Sequence, residues 1–345
     1  MPVKSYDFVK GLLEDYNSLA IKTLFRYIPE LEPRKYLYEL VSSYPGRPGK
    51  GFRPALCIAT CKAFGGTESM ALRSAVAIEL FHNAFLVHDD VEDDSDFRRG
   101  DKTLNAEYGI PIAVNVGDAM NVLSIRPLME NLSLLGPEMT WIVFTEIEHM
   151  VRQCVEGQAM ELGWVHENDT GLTEEDYLRM TLKKTCWYTI IHPCRIGALI
   201  ATSGEADPDR FNRFGYYLGA AFQIQDDLLN LIGEKEKYGK EIGGDIWEGK
   251  RTMMLIHLLN SSEPDEKQWL GHFLSIPRRH RNPEDVENVY RLMIKYDSFG
   301  YARSCSRNLA GAALKEFFTA YGALPDTRDK EFLYRIVLYM IERDL

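Results

Sequence analysis

The amino-acid sequence predicts an all-α protein folded as a single-domain helical bundle of about ten or more helices over residues 1–345. Three observations carry this. Apolar residues recur with the 3.6-residue period of a helix face over most of the chain, whereas period-2 alternation with β-branched enrichment hardly occurs. The composition, 45% apolar and 26% charged, is that of a globular chain with a substantial core. No long linker, low-complexity tract or short repeat divides the chain, so one large domain is expected although 345 residues would suffice for two.

The first helix is read over residues 8–27. A turn cluster, Pro45-Gly46-Arg47-Pro48-Gly49, precedes the second, over 54–64, and Gly65-Gly66 ends it. A third follows over 69–90 and another over 141–162. Thr173 then offers an N-cap with Glu174 and Glu175 in the first turn of a helix over 174–203, and Asp207-Pro208 opens one over 208–231. Further periodic stretches cover 252–259, 283–296, 299–321 and 330–343.

A formal net charge of −11 argues against nucleic acid as a partner, because a basic stripe would be needed to hold phosphates. Any anionic ligand must therefore be held by locally placed cations. The six cysteines, Cys57, Cys61, Cys154, Cys186, Cys194 and Cys305, show no C-x-x-C spacing, which suits free thiols in a reducing compartment. Residues 1–7 lack a basic segment followed by an apolar run, and no stretch reaches the ~18 uninterrupted apolar residues of a membrane span. A cytoplasmic protein without an integral membrane segment is expected.

Two acidic clusters interrupt apolar helices. Asp89-Asp90-Val91-Glu92-Asp93 follows Leu86-Val87-His88, and Asp226-Asp227-Leu228-Leu229-Asn230 follows Phe222-Gln223-Ile224-Gln225. On a helix, Asp89 and Asp93 share one face, as do Asp226 and Asn230. Carboxylates crowded this closely repel one another unless a cation neutralises them, and Mg2+, which takes oxygen ligands and keeps waters and phosphates in its shell, suits both patches. A solvated acidic surface is the plain alternative for either cluster alone. Cations lie near both: Lys50 and Arg53 in a Gly-rich turn, Arg98-Arg99, and Lys240, Lys250 and Arg251 among glycines. Such side chains reach phosphate oxygens, arginine in two-pronged fashion and lysine as a point charge.

With these motifs in place the chain resembles the trans-isoprenyl diphosphate synthases, the head-to-tail prenyltransferases of the polyprenyl synthetase family. The match runs over nearly the whole chain: Gly49-Lys50 to Arg53-Pro54, Glu79 with His82, Asp89 to Asp93 with Arg98-Arg99-Gly100, Gly157-Gln158, Lys184-Thr185, Phe222-Gln223, the second cluster, Gly239-Lys240 and Gly249-Lys250. The resemblance implies the isoprenoid synthase fold around a central cavity, a homodimer, and three Mg2+ ions per site. Asp89, Asp90, Asp93, Asp226, Asp227 and Asn230 would bind the ions that clamp an allylic diphosphate. Arg98, Lys184, Lys240 and Lys250 would contact that diphosphate, while Lys50, Arg53, His82 and Arg99 would hold isopentenyl diphosphate. Thr185 and Gln223 would turn oxygens toward the developing allylic cation, beside Lys184. Three positions depart from the family pattern: Asn230 where aspartate is common, Gly51 where arginine is common, and Cys186 where a smaller residue follows Lys184-Thr185.

The resemblance also bears on product length. Ala84 and Phe85 lie about one helical turn before Asp89 and are expected to face the growing chain, with Phe81 a turn deeper. One aromatic with one alanine points to geranylgeranyl diphosphate, with farnesyl diphosphate second; Phe81 and Phe85 read equally as ordinary core residues. Two further readings stand beside this one. A class I terpene cyclase shares the metals but needs no isopentenyl site, against which Lys50, Arg53, His82 and Arg99 argue. A non-catalytic regulatory subunit would be expected to lose aspartates from the first cluster, which is intact.

Overall fold

The computed structural model describes residues 3–232 and 243–342, and it is helical almost throughout. Helix α1, Val3–Leu24, lies against α2, Phe52–Ala63, and α3, Glu68–Glu92. Helix α2 is apolar on nearly every side, Arg53 and Lys62 apart, because it is enclosed by α1, α3 and two later helices. Helix α3 is long and apolar enough to cross a membrane by length and composition, but 67% of that stretch is buried within the bundle, which explains its composition by packing.

Helix α4, Ile110–Leu123, leads into α5, Ile125–His166, which breaks at Gly136 (φ 78°, ψ 170°) just before Pro137. Proline deprives the helix of a donor and glycine permits the positive φ, so two rods meet at a kink. The helix predicted over 174–203 is one rod in three parts: α6, Glu174–Thr181, a π-helical segment, Leu182–Ile191, and α7, His192–Ala201. Its start is the cap foreseen at Thr173, and the structure makes it reciprocal: the Thr173 hydroxyl accepts from the Asp176 amide while the Asp176 carboxylate accepts from the Thr173 amide.

Helix α8, Asn212–Ile232, joins the two main cores. Its first turns place Phe214, Leu218 and Phe222 among α2, α3, α5 and the C-terminal helices, and its last turns place Ile224, Leu228 and Leu231 in a second core. That second core is built with α9, Gly244–Glu248, α10, Met253–Ser261, α11, Pro264–Ser275, and α12, Pro283–Lys295. Helices α13, Ser298–Tyr321, and α14, Arg328–Glu342, close the bundle. All six cysteines are free, and five are buried.

Helices α4, α9 and α11 carried no clear signal in the sequence, nor did the short helical segments within 34–46 and at Leu104–Tyr108. One short antiparallel ribbon was also unforeseen, Phe97–Arg98 against Asp101–Lys102, turning at Arg99 and Gly100. Both turn residues have positive φ, 54° and 88°, the pattern of a two-residue hairpin, and Arg99 adopts it without glycine's freedom.

Candidate active site

A cavity of about 1710 Å³ opens between α3, α5, the π-helical segment and α8. Its upper rim is polar, with Asp89, Glu92, Arg98, Gln158, Glu161, Lys184, Asp226 and Lys250; lower down the walls are Phe81, Phe85, Ile125, Leu128, Phe144, Ile147 and Val151. The two acidic clusters therefore meet across one space, although 137 positions separate Asp89 from Asp226.

The members of the first cluster play unequal parts. Asp89 faces the cavity and accepts from Lys184 Nζ at 3.3 Å and from Arg98 at 3.1 Å. Asp90 is fully buried: Arg98 Nε donates to both its oxygens at 2.6 and 2.8 Å, and the Tyr44 hydroxyl donates at 2.6 Å. Burial opposes the Arg98 charge, but the Asp90 carboxylate more than restores it. Asp93 accepts from Lys250 Nζ at 2.5 Å, and Glu248 holds the same lysine at 2.9 Å. Arg278 completes this corner, donating to the Asp93 carbonyl at 2.9 Å and to Glu248 at 2.8 Å. Burial pushes the Asp93 carboxyl up, with Lys250 pulling the other way.

On α8, Asp226 and Asp227 both line the cavity, and Asp227 is also tied into its wall. Asp227 accepts from Gln223 Nε2 and from the Tyr177 hydroxyl, both at 2.8 Å, and the Thr185 hydroxyl donates to Gln223 Oε1 at 2.7 Å. Thr185 and Gln223 thus form one chain of hydrogen bonds on the cavity wall. Asn230 does not line the cavity; its Oδ1 accepts from the Asp245 amide at 3.0 Å, and its carbonyl accepts from the Gly243 amide at 2.8 Å. The expectation that Asn230 faces the same space as Asp226 is corrected by this use of its oxygen as a cap on α9.

The other predicted cations gather on the opposite flank. Lys50, Arg53, His82 and Arg99 all line the cavity. Arg53 donates to the Tyr188 hydroxyl at 2.5 Å and to Thr189 at 2.9 Å, and its Nη1 lies 3.2 Å from His82 Nε2. Its Nε is buried with no hydrogen-bond partner. His82 is held neutral first by burial and then by Arg53, Arg99 and Arg98, so it accepts from Arg53 and donates through Nδ1 to Tyr188 at 3.0 Å. Glu79, buried below Arg53 and Arg99, has its carboxyl raised by that burial. Lys240 lies outside the described residues.

Two departures from the family pattern have physical reasons. Gly51 has φ 61°, and a Cβ there would lie 2.3 Å from Asn17 Oδ1, so an arginine would strain this turn and push Asn17 aside. Cys186 is fully buried against Gly219, on the side of the π-helical segment away from the cavity. Ala84 is a further correction: it is fully buried in the packing of Val87, Leu104, Val116 and Met120, not on the cavity wall. Neighbouring positions on a helix point about 100° apart, and Phe81 and Phe85 take the inward direction.

Several site residues escaped the sequence reading. Glu161 receives Lys184 Nζ at 2.5 Å and, with Asp89, keeps that lysine charged against burial. Glu161 lies four residues after Gly157 on the same helix face, a spacing that could have flagged it. Glu248, next to Gly249-Lys250, carried a similar hint; Tyr44, Tyr177, Tyr188 and Arg278 carried none.

The chemistry of the donor set is that of a hard divalent cation. Asp89, Glu92 and Asp226 offer oxygens alone, yet among the described residues no three acidic, histidine or cysteine side chains converge into a closed cage. Such a half-shell leaves positions for water and phosphate oxygens, as Mg2+ prefers.

Comparison with known proteins agrees with the fold and the motifs. Residues 34–293 match the model of the family described as polyprenyl synthetase. A geranylgeranyl diphosphate synthase of Saccharolobus solfataricus is 31% identical over 77% of this chain and 79% of its own. An octaprenyl diphosphate synthase of Escherichia coli is 30% identical over 86% of each chain. The crystal structure of geranylgeranyl pyrophosphate synthetase from Pyrococcus horikoshii superposes with a TM-score of 0.85 at 29% identity, over 98% of this chain and 99% of that one. Cavity, paired acidic helices and relatives converge: the chain belongs to the polyprenyl synthetase family and is a trans-prenyltransferase.

Proposed function

We propose that this protein is a Mg2+-dependent synthase that joins an allylic diphosphate head-to-tail to isopentenyl diphosphate, with geranylgeranyl diphosphate as its main product. The observation that carries the reading is the division of one cavity into a polar rim holding Asp89, Asp226, Lys184 and Lys250 and an apolar shaft below it. A rim of this kind binds a diphosphate, and a shaft of this kind accepts a hydrocarbon tail.

Asp89 and Asp226, with Asp93 beside them, would hold the metal, three ions per site in this reading. The bound ions would neutralise charge growing on the leaving diphosphate. Lys184, Lys250 and Arg98 stand within reach of the same group and add fixed positive charge that needs no reorganisation. Thr185 and Gln223 place oxygens where positive charge develops on the allylic carbon. On the other flank Lys50, Arg53, His82 and Arg99 would hold the second diphosphate, and the unpartnered Nε of Arg53 is a buried donor that such an anion would satisfy. The apolar walls keep water from the carbocation. Phe81 and Phe85, stacked at 6.4 Å, narrow the shaft and support a product of intermediate length. A structure of a polyprenyl synthase from Caulobacter crescentus holds calcium and isoprenyl diphosphate, and one from Corynebacterium glutamicum holds magnesium and isoprenyl diphosphate, which supports divalent metal here.

A homodimer is part of the reading. Trp141, Val122, Met129, Leu132 and Val155 leave an apolar face on α4 and α5 exposed to solvent, Trp141 by 72%. The deciding experiment incubates the protein with Mg2+, dimethylallyl diphosphate and labelled isopentenyl diphosphate and chromatographs the dephosphorylated products. A twenty-carbon alcohol is expected. A hydrocarbon released from geranylgeranyl diphosphate alone would support a cyclase, and no product at all a regulatory subunit.

A further inference from the structure

Tyr188 touches both halves of the cavity. Its hydroxyl accepts from Arg53 at 2.5 Å and from His82 at 3.0 Å, and the Arg53 guanidinium lies 4.0 Å from its ring centroid. The same ring meets Phe85 edge-on at 5.8 Å and 87°, and Phe85 in turn stacks on Phe81 at 6.4 Å.

The register of the two rods explains the arrangement. Lys184 bonds Asp89 at the rim; four residues beyond Lys184 stands Tyr188, and four residues before Asp89 stands Phe85. The rods run in opposite directions, so both aromatics arrive about 6 Å below the rim, one turn of α3 down. The cavity does not end there, since Leu128, Phe144 and Ile147 line it deeper along α5. A ring held at this depth is a partial barrier with free space beyond.

Resting on the prenyl-transfer reading, we propose that Tyr188 is a specificity-determining residue for product length and, through its hydroxyl, a positioning residue for the isopentenyl diphosphate anchors Arg53 and His82. Phe85 then has its inward partner across the shaft, a part that Ala84 cannot play from its own buried place. The ring limits the tail, while the hydroxyl orients two groups that hold the second diphosphate.

The two roles separate by substitution. Tyr188→Phe keeps the ring and removes the hydroxyl, so KM for isopentenyl diphosphate is expected to rise about ten-fold, the effect of losing one hydrogen bond to a charged group, with product length unchanged. Tyr188→Leu removes the ring as well, and its products are expected to lengthen by at least one five-carbon unit. Should Tyr188→Leu not fold, as judged by circular dichroism, Tyr188→Met asks the same question with a larger side chain. An active small-side-chain variant with wild-type products would overturn the length role, and an unchanged KM in Tyr188→Phe would overturn the positioning role. Failure of the wild-type protein to make any prenyl product would instead defeat the underlying reading.

Discussion

Arg98→Met tests whether the arginine that the sequence assigns to substrate is first of all a partner for Asp90. Asp90 is fully buried and receives three hydrogen bonds, two from Arg98 Nε and one from Tyr44. Removing one member of such a pair leaves a buried charge, at a cost of about 3–5 kcal/mol. The variant is therefore expected to lose about 3–5 kcal/mol of stability. Urea unfolding followed by circular dichroism measures the loss. The double variant Arg98→Met with Asp90→Leu, which removes both charges, is expected to recover most of the stability. A penalty below about 1 kcal/mol would refute the account of Arg98 as the buried partner.

Three further outcomes follow from the geometry. Asn230→Ala should cost about 1 kcal/mol through the lost cap and keep most of the turnover, whereas Asp226→Ala should lower turnover about 100-fold or more; equal losses in the product assay would make Asn230 a metal ligand after all. Gly157→Ala would place a Cβ 2.3 Å from the Lys184 amide nitrogen, so it should destabilise by about 1–3 kcal/mol and lower kcat by displacing Lys184, read by thermal melting and steady-state kinetics. At the outer side of the same rod, burial works against the Glu146 carboxylate, but His192 at 2.8 Å and Arg195 at 2.7 Å hold its pKa down to about 2. A carboxyl depressed on folding stabilises above its unfolded value of about 4.5 and loses that contribution as pH falls toward 2. Glu146→Gln should therefore flatten the acid limb of a stability-versus-pH curve between about pH 4.5 and 2.

The helices that bury one face or all faces were legible, since burial writes a period into the sequence. Helices 69–90 and 208–231 differ from α3 and from the Pro208 start of α8's rod by only a residue or two. Helix α4 was missed because its Val114 and Val122 are apolar yet exposed, which blurs the period. The π-helical register of Leu182–Ile191 is set by what lies on its two sides, Trp187 and Lys183 outward and Lys184, Thr185 and Tyr188 inward, and no propensity encodes it. In the site, charged residues announced themselves in apolar surroundings. Tyrosines did not, because Tyr44, Tyr177 and Tyr188 suit a core as well as a hydrogen bond, and only the fold brings their hydroxyls to Asp90, Asp227 and Arg53. Ala84 and Asn230 were misplaced for a related reason: spacing along a helix fixes relative direction, not which direction is inward.

In the proposed reading a chain of net charge −11 must attract two diphosphates, and the charges of the rim suit that task. Each cation there rests on a carboxylate: Lys184 on Asp89 and Glu161, Lys250 on Asp93 and Glu248, Arg98 on Asp90 and Asp89. These pairs keep buried lysines charged, since burial alone would strip their protons. They also fix the lysines before any ligand arrives, so little side-chain entropy remains to be lost on binding. An incoming diphosphate then competes with carboxylates for cations already in place, and it wins only if something else neutralises Asp89 and Asp93. That requirement couples anion binding to metal binding through the protein's own charges. Isothermal titration should therefore show the rim taking inorganic diphosphate together with Mg2+ at least ten-fold more tightly than without it, the equivalent of about 1.4 kcal/mol of coupling. Lys250→Ala leaves Asp93 and Glu248 without their shared cation, and it should weaken diphosphate binding in Mg2+ while leaving the response to Mg2+ itself intact. Equal diphosphate affinity with and without the metal would refute the exchange.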